Sequence, residues 1–114
     1  MWTYRATVLR VVDGDTVDVR IDAGFHIFHT TRLRLTGIDA PEMNSRDTAE
    51  RDRAKAATTY LSAILWPGAE ITVTTDRDRR EKFGRYLGRI TANGIDVNAD
   101  MVRAGMAEVY GAVR

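Results

Sequence analysis

The carboxylates of Asp13, Asp15, Asp39 and Glu42 stand in two short segments, Asp13-Gly14-Asp15-Thr16 and Asp39-Ala40-Pro41-Glu42. Arg34 precedes the second segment, and a Phe83-Gly84-Arg85 run lies far downstream. Carboxylates gathered at strand ends make a seat for a hard divalent cation, because ionised oxygens are the ligands such ions prefer. Guanidinium groups facing that seat make a clamp for phosphate through their planar, bidentate fork. A seat and a clamp together are the equipment for metal-assisted cleavage of a phosphodiester. Each piece alone has a plainer explanation. Asp-Gly-Asp-Thr is ordinarily a turn closed by its own side-chain hydrogen bonds. Arg34 alone reads as the polar face of a strand, Arg85 as a residue after a hairpin glycine, and Glu42 as an acid on the approach to a helix. The joint pattern is more specific than its parts.

Asp15 and Asp39, the backbone carbonyl of Ala40 and several waters would fill the shell of calcium, which takes about 6–8 oxygens. Magnesium is smaller and stricter in geometry, and the sequence does not choose between the two. The absence of cysteine excludes thiolate sites and disulfides. Glu42 can bind through a water and is the candidate general base for it, or the group that orients it. Arg34 and Arg85 can hold a phosphate from two sides and stabilise the charge that builds as it is attacked. His26 and His29, without further ligands nearby, read as structural or exposed residues rather than zinc ligands.

The chain has 114 residues, a length that suits one domain covering 1–114. No stretch approaches the roughly 20 apolar residues of a membrane span, and no signal-peptide pattern opens the chain. The expectation is a soluble, cytoplasmic protein. Net charge is only +1, so bulk charge does not announce a polyanionic partner. Its distribution says more. Of the 17 basic residues only Lys55 and Lys82 are lysines, and Arg77, Arg79, Arg80, Lys82, Arg85 and Arg89 form a local basic stripe. Such a stripe attracts a polyanion even when total charge is small. Read by itself, it is a solvated turn.

The elements that must position these groups are legible from periodicity. Tyr4 to Val12 is rich in apolar and β-branched residues, and Val17, Val19 and Ile21 alternate with Asp18, Arg20 and Asp22. These read as two strands joined by an Asp13-Gly14 turn. A third strand runs from Thr31 to Leu35, with Arg32 and Arg34 on the face away from Leu33 and Leu35. Arg46 to Leu65 is the best helix. Ala54, Ala57, Leu61, Ile64 and Leu65 make its apolar stripe, Asn44 or Ser45 can cap it, and Trp66-Pro67-Gly68 stops it. Short strands follow around Ile71–Val73, Arg85–Thr91 and Ile95–Val97, the last two joined by an Asn93-Gly94 hairpin turn. A short helix begins at an Asn98 cap and ends at Gly105. Trp2 and Trp66 read as packing residues, with an exposed contact as the alternative for Trp2. Met101 and Met106 read as core. A helix interrupting a small antiparallel β-system predicts a mainly β fold, a five-stranded OB-type barrel with one long helix and one short C-terminal helix.

At Val12-Asp13-Gly14-Asp15-Thr16-Val17, at Arg34 with Asp39-Ala40-Pro41-Glu42, and at Lys82-Phe83-Gly84-Arg85, the chain resembles the staphylococcal nuclease (thermonuclease) family. Val97-Asn98 through Ala107 resembles the family's second-helix segment. The resemblance implies an OB-type barrel with packed helices. It implies calcium-dependent hydrolysis of DNA and RNA that leaves 3′-phosphates. It implies Asp15, Asp39 and the Ala40 carbonyl as metal ligands, with Asp13 as a second acid near the metal. It implies Glu42 as the water-activating glutamate, and Arg34 and Arg85 as the phosphate clamps. Phe83 sits where the family has an aromatic lining the nucleotide site, here without a hydroxyl, and Tyr110 lies near another nucleotide-side tyrosine. With Arg114 as its last residue, the expectation is that the family's long third helix is missing or replaced, and the compact loop after Glu42 fits a small intracellular or phage-encoded member. The competing expectation is a binding module for nucleic acid or protein that kept the barrel and lost catalysis. A structural calcium-binding domain would leave both clamp arginines unexplained.

Overall fold

The computed structural model describes residues 2–80 and 85–110. In chain order the elements are β1 (Trp2–Asp13), β2 (Thr16–Asp22), β3 (Phe28–Leu35), β4 (Ile38–Asp39), α1 (Thr48–Ile64), β5 (Glu70–Arg80), β6 (Tyr86–Ala92), β7 (Ile95–Asp96), α2 (Val97–Arg103) and β8 (Glu108–Val109).

Strand β1 is shared by two antiparallel partners, β2 on one edge and β5 on the other. It can serve both because it bends, with register shifts between Val8 and Arg10 and between Val11 and Asp13. Strand β3 pairs antiparallel with β2, and β6 with β5. The ring closes where β6 runs parallel to β3, Leu33 opposite Tyr86 and Leu35 opposite Gly88. Closure in the order β3-β2-β1-β5-β6 gives a five-stranded OB-type barrel. The Asn93-Gly94 turn joins β6 to β7 with both residues at positive φ, 50° and 77°, the geometry a two-residue hairpin demands.

Alternation fills the interior. Val8, Val17, Val19, Leu33, Leu35, Val73 and Ile90 are buried inside the barrel cluster. The expected stripe of α1 covers it, with Ala54, Ala57, Leu61 and Leu65 buried and Ile64 half-buried. Val97 and Met101 of α2 complete the core. No described helix is long and apolar enough to cross a membrane.

Four local expectations are corrected. The cap of α1 is Asp47, whose carboxylate accepts from the Ala49 N–H, rather than Asn44 or Ser45. The cap of α2 is Asp96, whose carboxylate accepts from the Ala99 N–H. Asn98 lies inside that helix and is 1 % exposed. It accepts from the Ile90 N–H at 3.0 Å and donates to the carbonyls of Thr36 at 2.9 Å and Gly88 at 3.2 Å. A cap would have met only its own helix; Asn98 instead ties β6 to the turn after β3. Trp66 stands half in solvent at 51 % exposure, and Trp2 takes its exposed alternative at 53 %.

The tip of the first hairpin is wedged. A Cβ on Gly14 would meet the Cβ atoms of Ala40 and Ala57 at 2.8 Å each. Both obstacles are rooted directly on backbone, so neither can swing aside. Gly14→Ala is expected to cost about 1–3 kcal/mol of stability through overpacking, read as a lowered midpoint in urea with an unchanged slope. A midpoint equal to that of the unsubstituted protein would show that the tip has slack.

Candidate active site

The first hairpin turn is built by its own acids. The Asp15 N–H donates to Asp13 Oδ1 at 3.1 Å, which closes the turn locally. The carbonyl of Asp15 accepts from the Leu35 N–H at 2.8 Å, which pins the turn to the end of β3. The Asp15 side chain is buried and fixed at both oxygens. Oδ1 accepts from the Thr16 hydroxyl at 3.0 Å, and Oδ2 accepts from the Ala40 N–H at 3.0 Å. The second bond spans 25 residues and brings the two acidic segments together.

Arg34 occupies the space between them. Its Nη1 donates to the carbonyls of Leu35 and Ile38, both at 2.9 Å. Its Nη2 lies 3.5 Å from Asp15 Oδ2 and 3.3 Å from Asp39 Oδ1. The side chain is only 13 % exposed, whereas that of Asp39 is 52 % exposed. One guanidinium thus braces the Thr36-Gly37 turn with one nitrogen and bridges two carboxylates with the other.

The turn is held from behind as well. The Thr36 N–H donates to the Gly88 carbonyl at 2.9 Å, and Asn98 grips the Thr36 carbonyl. Strand β4 pairs with β8, Ile38 opposite Val109 and Asp39 opposite Glu108. The Tyr110 N–H donates to the Gly37 carbonyl at 2.9 Å, and the Tyr110 ring lies 5.5 Å from the Arg34 guanidinium carbon. That contact places Tyr110 on the rim of the site.

Glu42 follows on an exposed loop. Glu50, in the first turn of α1, ties this loop down: it accepts from the Glu42 N–H at 3.1 Å and from the Ser45 hydroxyl at 2.8 Å. Those two bonds, the Glu42 amide first, hold the Glu50 carboxyl below the usual carboxylate range. Neither Glu50 nor Asn98 was recognisable as a supporting residue from type alone. The spacing Asp47-x-x-Glu50 signals a capping box, but here the glutamate reaches past its own helix to the loop.

Asp13, Asp15, Arg34, Asp39, Ala40, Glu42, Arg85 and Tyr110 all line one cleft of about 560 Å³. Phe83 and Lys82 lie outside the described residues. Among the described residues, four carboxylates face two guanidinium groups there. The Asp13 carboxyl registers the excess: burial, and then the neighbouring Asp15 carboxylate, push it up to about 6.

The donor set suits a hard cation. A carboxylate offers about four acceptor positions, and two of those on Asp15 are used by Ala40 and Thr16. Among the described residues no three acidic or imidazole side chains gather tightly enough to hold an ion alone. A cation here would therefore draw on backbone carbonyl and water as well, which calcium and magnesium accept and softer metals do not favour.

A family model described as "Staphylococcal nuclease homologue" matches residues 32–114. The chain belongs to this family. Among relatives, it is 36% identical over 113 residues to "Endonuclease YhcR" of Bacillus subtilis (strain 168), covering 94% of this chain and 9% of that protein. It is 38% identical over 104 residues to an "Uncharacterized endonuclease" of Escherichia coli, covering 90% of this chain and 59% of that one. It is 29% identical over 100 residues to "Thermonuclease" of Staphylococcus intermedius, covering 88% and 56%. The chain thus spans under two thirds of the length of each of these relatives. Asp15 follows the end of β1, Arg34 stands near the end of β3, and Asp39 lies in β4, outside the barrel sheet. The parallel closure between β3 and β6 sets Arg34 opposite Leu87, two residues from Arg85.

Proposed function

We propose that this chain is a calcium-dependent nuclease that hydrolyses phosphodiester bonds of DNA and RNA and leaves 3′-phosphates. The observation that carries this reading is Arg34, held between Asp15 and Asp39 in a cleft that Glu42 and Arg85 also line. With more carboxylates than guanidiniums among its described lining residues, this cleft disfavours a bare phosphodiester. It accepts one only when a divalent cation offsets the acids. Names of relatives that include endonucleases and a thermonuclease support the reading.

Asp15, Asp39 and the Ala40 carbonyl would hold calcium, with Asp13 behind them. When bound, the ion supplies Lewis-acid polarisation of the phosphoryl group and lowers the pKa of water. Arg34 and Arg85 donate to the phosphoryl oxygens on which charge builds. Glu42 orients a water and accepts its proton as the oxygen attacks phosphorus. The bond from phosphorus to the 5′-oxygen breaks, the leaving oxygen takes a proton from solvent, and the phosphate stays on the 3′ side. Calcium suits Asp39, whose exposed carboxylate has room to adjust within a loose, water-rich shell.

The test is the chemistry of the ends. Fragments of denatured DNA made by this protein are expected to resist extension by a polymerase until a phosphatase removes the 3′-phosphate. Fragments that extend at once would place the broken bond on the other side of phosphorus and overturn this geometry of attack.

A further inference from the structure

The turn between β2 and β3 is made of residues that suit neither its backbone nor its exposure. The Ile27 N–H donates to the Gly24 carbonyl and the Ala23 N–H to the Ile27 carbonyl, both at 2.9 Å. The Asp22 carboxylate accepts from the Gly24 N–H at 2.9 Å and locks the turn at its base. Phe25 and His26 take the two central positions, with φ of 54° and 59°. In the β6–β7 turn those positions belong to Asn93 and Gly94, the residue types that accept positive φ. A phenylalanine there is a backbone outlier, and this one is 95 % exposed. Backbone strain and bare apolar surface both count against the arrangement in a lone chain. Strain that persists in a hydrogen-bonded turn marks a segment under functional demand.

A mainly apolar cavity of about 150 Å³ opens at the same end of the barrel. Its floor is the buried Ile21, Leu33 and Val73, and its rim carries Ala23, His29 and Tyr86. The His29 and Tyr86 rings meet edge to face with centres 6.0 Å apart. An apolar cavity of about this size stays dry and accepts a benzene ring. Ala23 is two residues from Phe25, yet the turn holds the phenyl ring in solvent rather than in its own cavity. Ile27 is exposed beside it, and the β1–β2 register, with Arg5 opposite Asp22, brings the exposed Trp2 to this end as well.

We infer that two copies of this chain pair through this end, the Phe25 ring of each seated in the cavity of the other. A lipid surface would take Phe25 and leave the cavity empty. A small aromatic solute would fill the cavity and leave Phe25 in water. A second copy uses both, because knob and hole lie on one short segment and a twofold axis exchanges them. Phe25 with the wall it covers, Trp2 and Ile27, counted on both copies, come to on the order of 1,000 Å² at about 150–250 Å² per aromatic. That is the low end for a specific interface, so the dimer forms in the micromolar range. The cavity and the acidic cleft share no described lining residue, so this inference stands apart from the nuclease reading.

Sedimentation velocity tests it, on the chain at about 1 to 500 μM, a span around the expected dissociation constant. The mass is expected to rise from one chain to two across that range. Phe25→Asn removes the ring and suits the turn, so folding is kept. It is expected to weaken the dimer about 10³-fold, because two hot-spot rings are lost per pair. Ala23→Trp plugs the rim from an exposed position, with Phe25 intact, and is expected to abolish the dimer too. Trp66→Ala removes another exposed aromatic, on the turn after α1, and is expected to leave the dimer unchanged. A dimer that survives in Phe25→Asn overturns the inference, and so does an equal loss in Trp66→Ala. A dimer lost in Phe25→Asn but kept in Ala23→Trp overturns the cavity as the seat of the ring. A monomer at every concentration overturns the pairing outright. A melting temperature raised by benzene would then give the cavity to a small solute. Co-sedimentation with phosphatidylglycerol vesicles, lost in Phe25→Asn, would instead give the turn to a lipid surface.

Discussion

Arg34→Ala is expected to lose at least 10²–10³ in turnover, the usual effect of removing one donor from a developing oxyanion, while binding calcium more tightly. The two effects have one cause. Nη2 of Arg34 lies within 3.5 Å of Asp15 and Asp39, the carboxylates proposed to hold the ion. A fixed positive charge there competes with a cation for the same oxygens, so its removal strengthens the seat as it destroys the clamp. Stability falls too, by about 1–3 kcal/mol, because the carbonyls of Leu35 and Ile38 lose their donor. The loss stays below the full figure for a broken buried ion pair because Asp39 is half in water. Arg34→Lys separates the roles: it restores charge, but a single ammonium cannot reach two carbonyls and also present a fork to phosphate. Calorimetric calcium titration and turnover, measured on both variants, check this. Weaker calcium binding in Arg34→Ala, in step with unfolding, would make Arg34 a brace and nothing more.

Glu42→Gln is expected to lower kcat by about 10²–10⁴, the range for a positioned general base, with KM and stability nearly unchanged. The side chain is exposed, and the loop is anchored through the backbone N–H of Glu42, which the substitution keeps. Surface changes of this kind stay within about 0.5 kcal/mol. An interaction made only in the transition state lowers kcat and kcat/KM alike, so the signature is an equal fall in both. A rise in KM with kcat intact would assign Glu42 to substrate binding instead.

Much of this fold is written in local pattern. The alternation of Val17, Val19 and Ile21, the stripe of Ala54, Ala57, Leu61 and Leu65, and the Asn93-Gly94 turn each state their element within a few residues. What resists reading is set by distant partners. Strand β5 runs to Arg80 although Asp76-Arg77-Asp78-Arg79-Arg80 has no apolar alternation, because β6 pairs with it as far as Arg80 opposite Tyr86. Strands β4 and β8 are two residues each and exist only as a pair. Tyr110 has no register in the sequence until that pair and its bond to Gly37 set it beside Arg34. Asp47, Ser45 and Asn44 are all able caps, and the backbone path into α1 chooses among them. Asn98 has the residue type of a cap and serves instead as a buried bracket, since three backbone groups around it need partners.

The candidate site was legible as a set of residue types in order, through their resemblance to a family. It was not legible as a place. The bond from Ala40 to Asp15 and the bridge through Arg34 join segments that no local rule connects. Arg85 comes to the same cleft through the parallel closure of β3 on β6.

Hydrolysis that depends on a cation seated among these acids is best tested by release of acid-soluble nucleotides from heat-denatured DNA, followed in calcium, after chelation, and with calcium restored. Release, arrest and recovery are expected in turn. Retention of the DNA by the protein in calcium, with nothing released, would contradict cation-dependent hydrolysis and leave the chain a binding module.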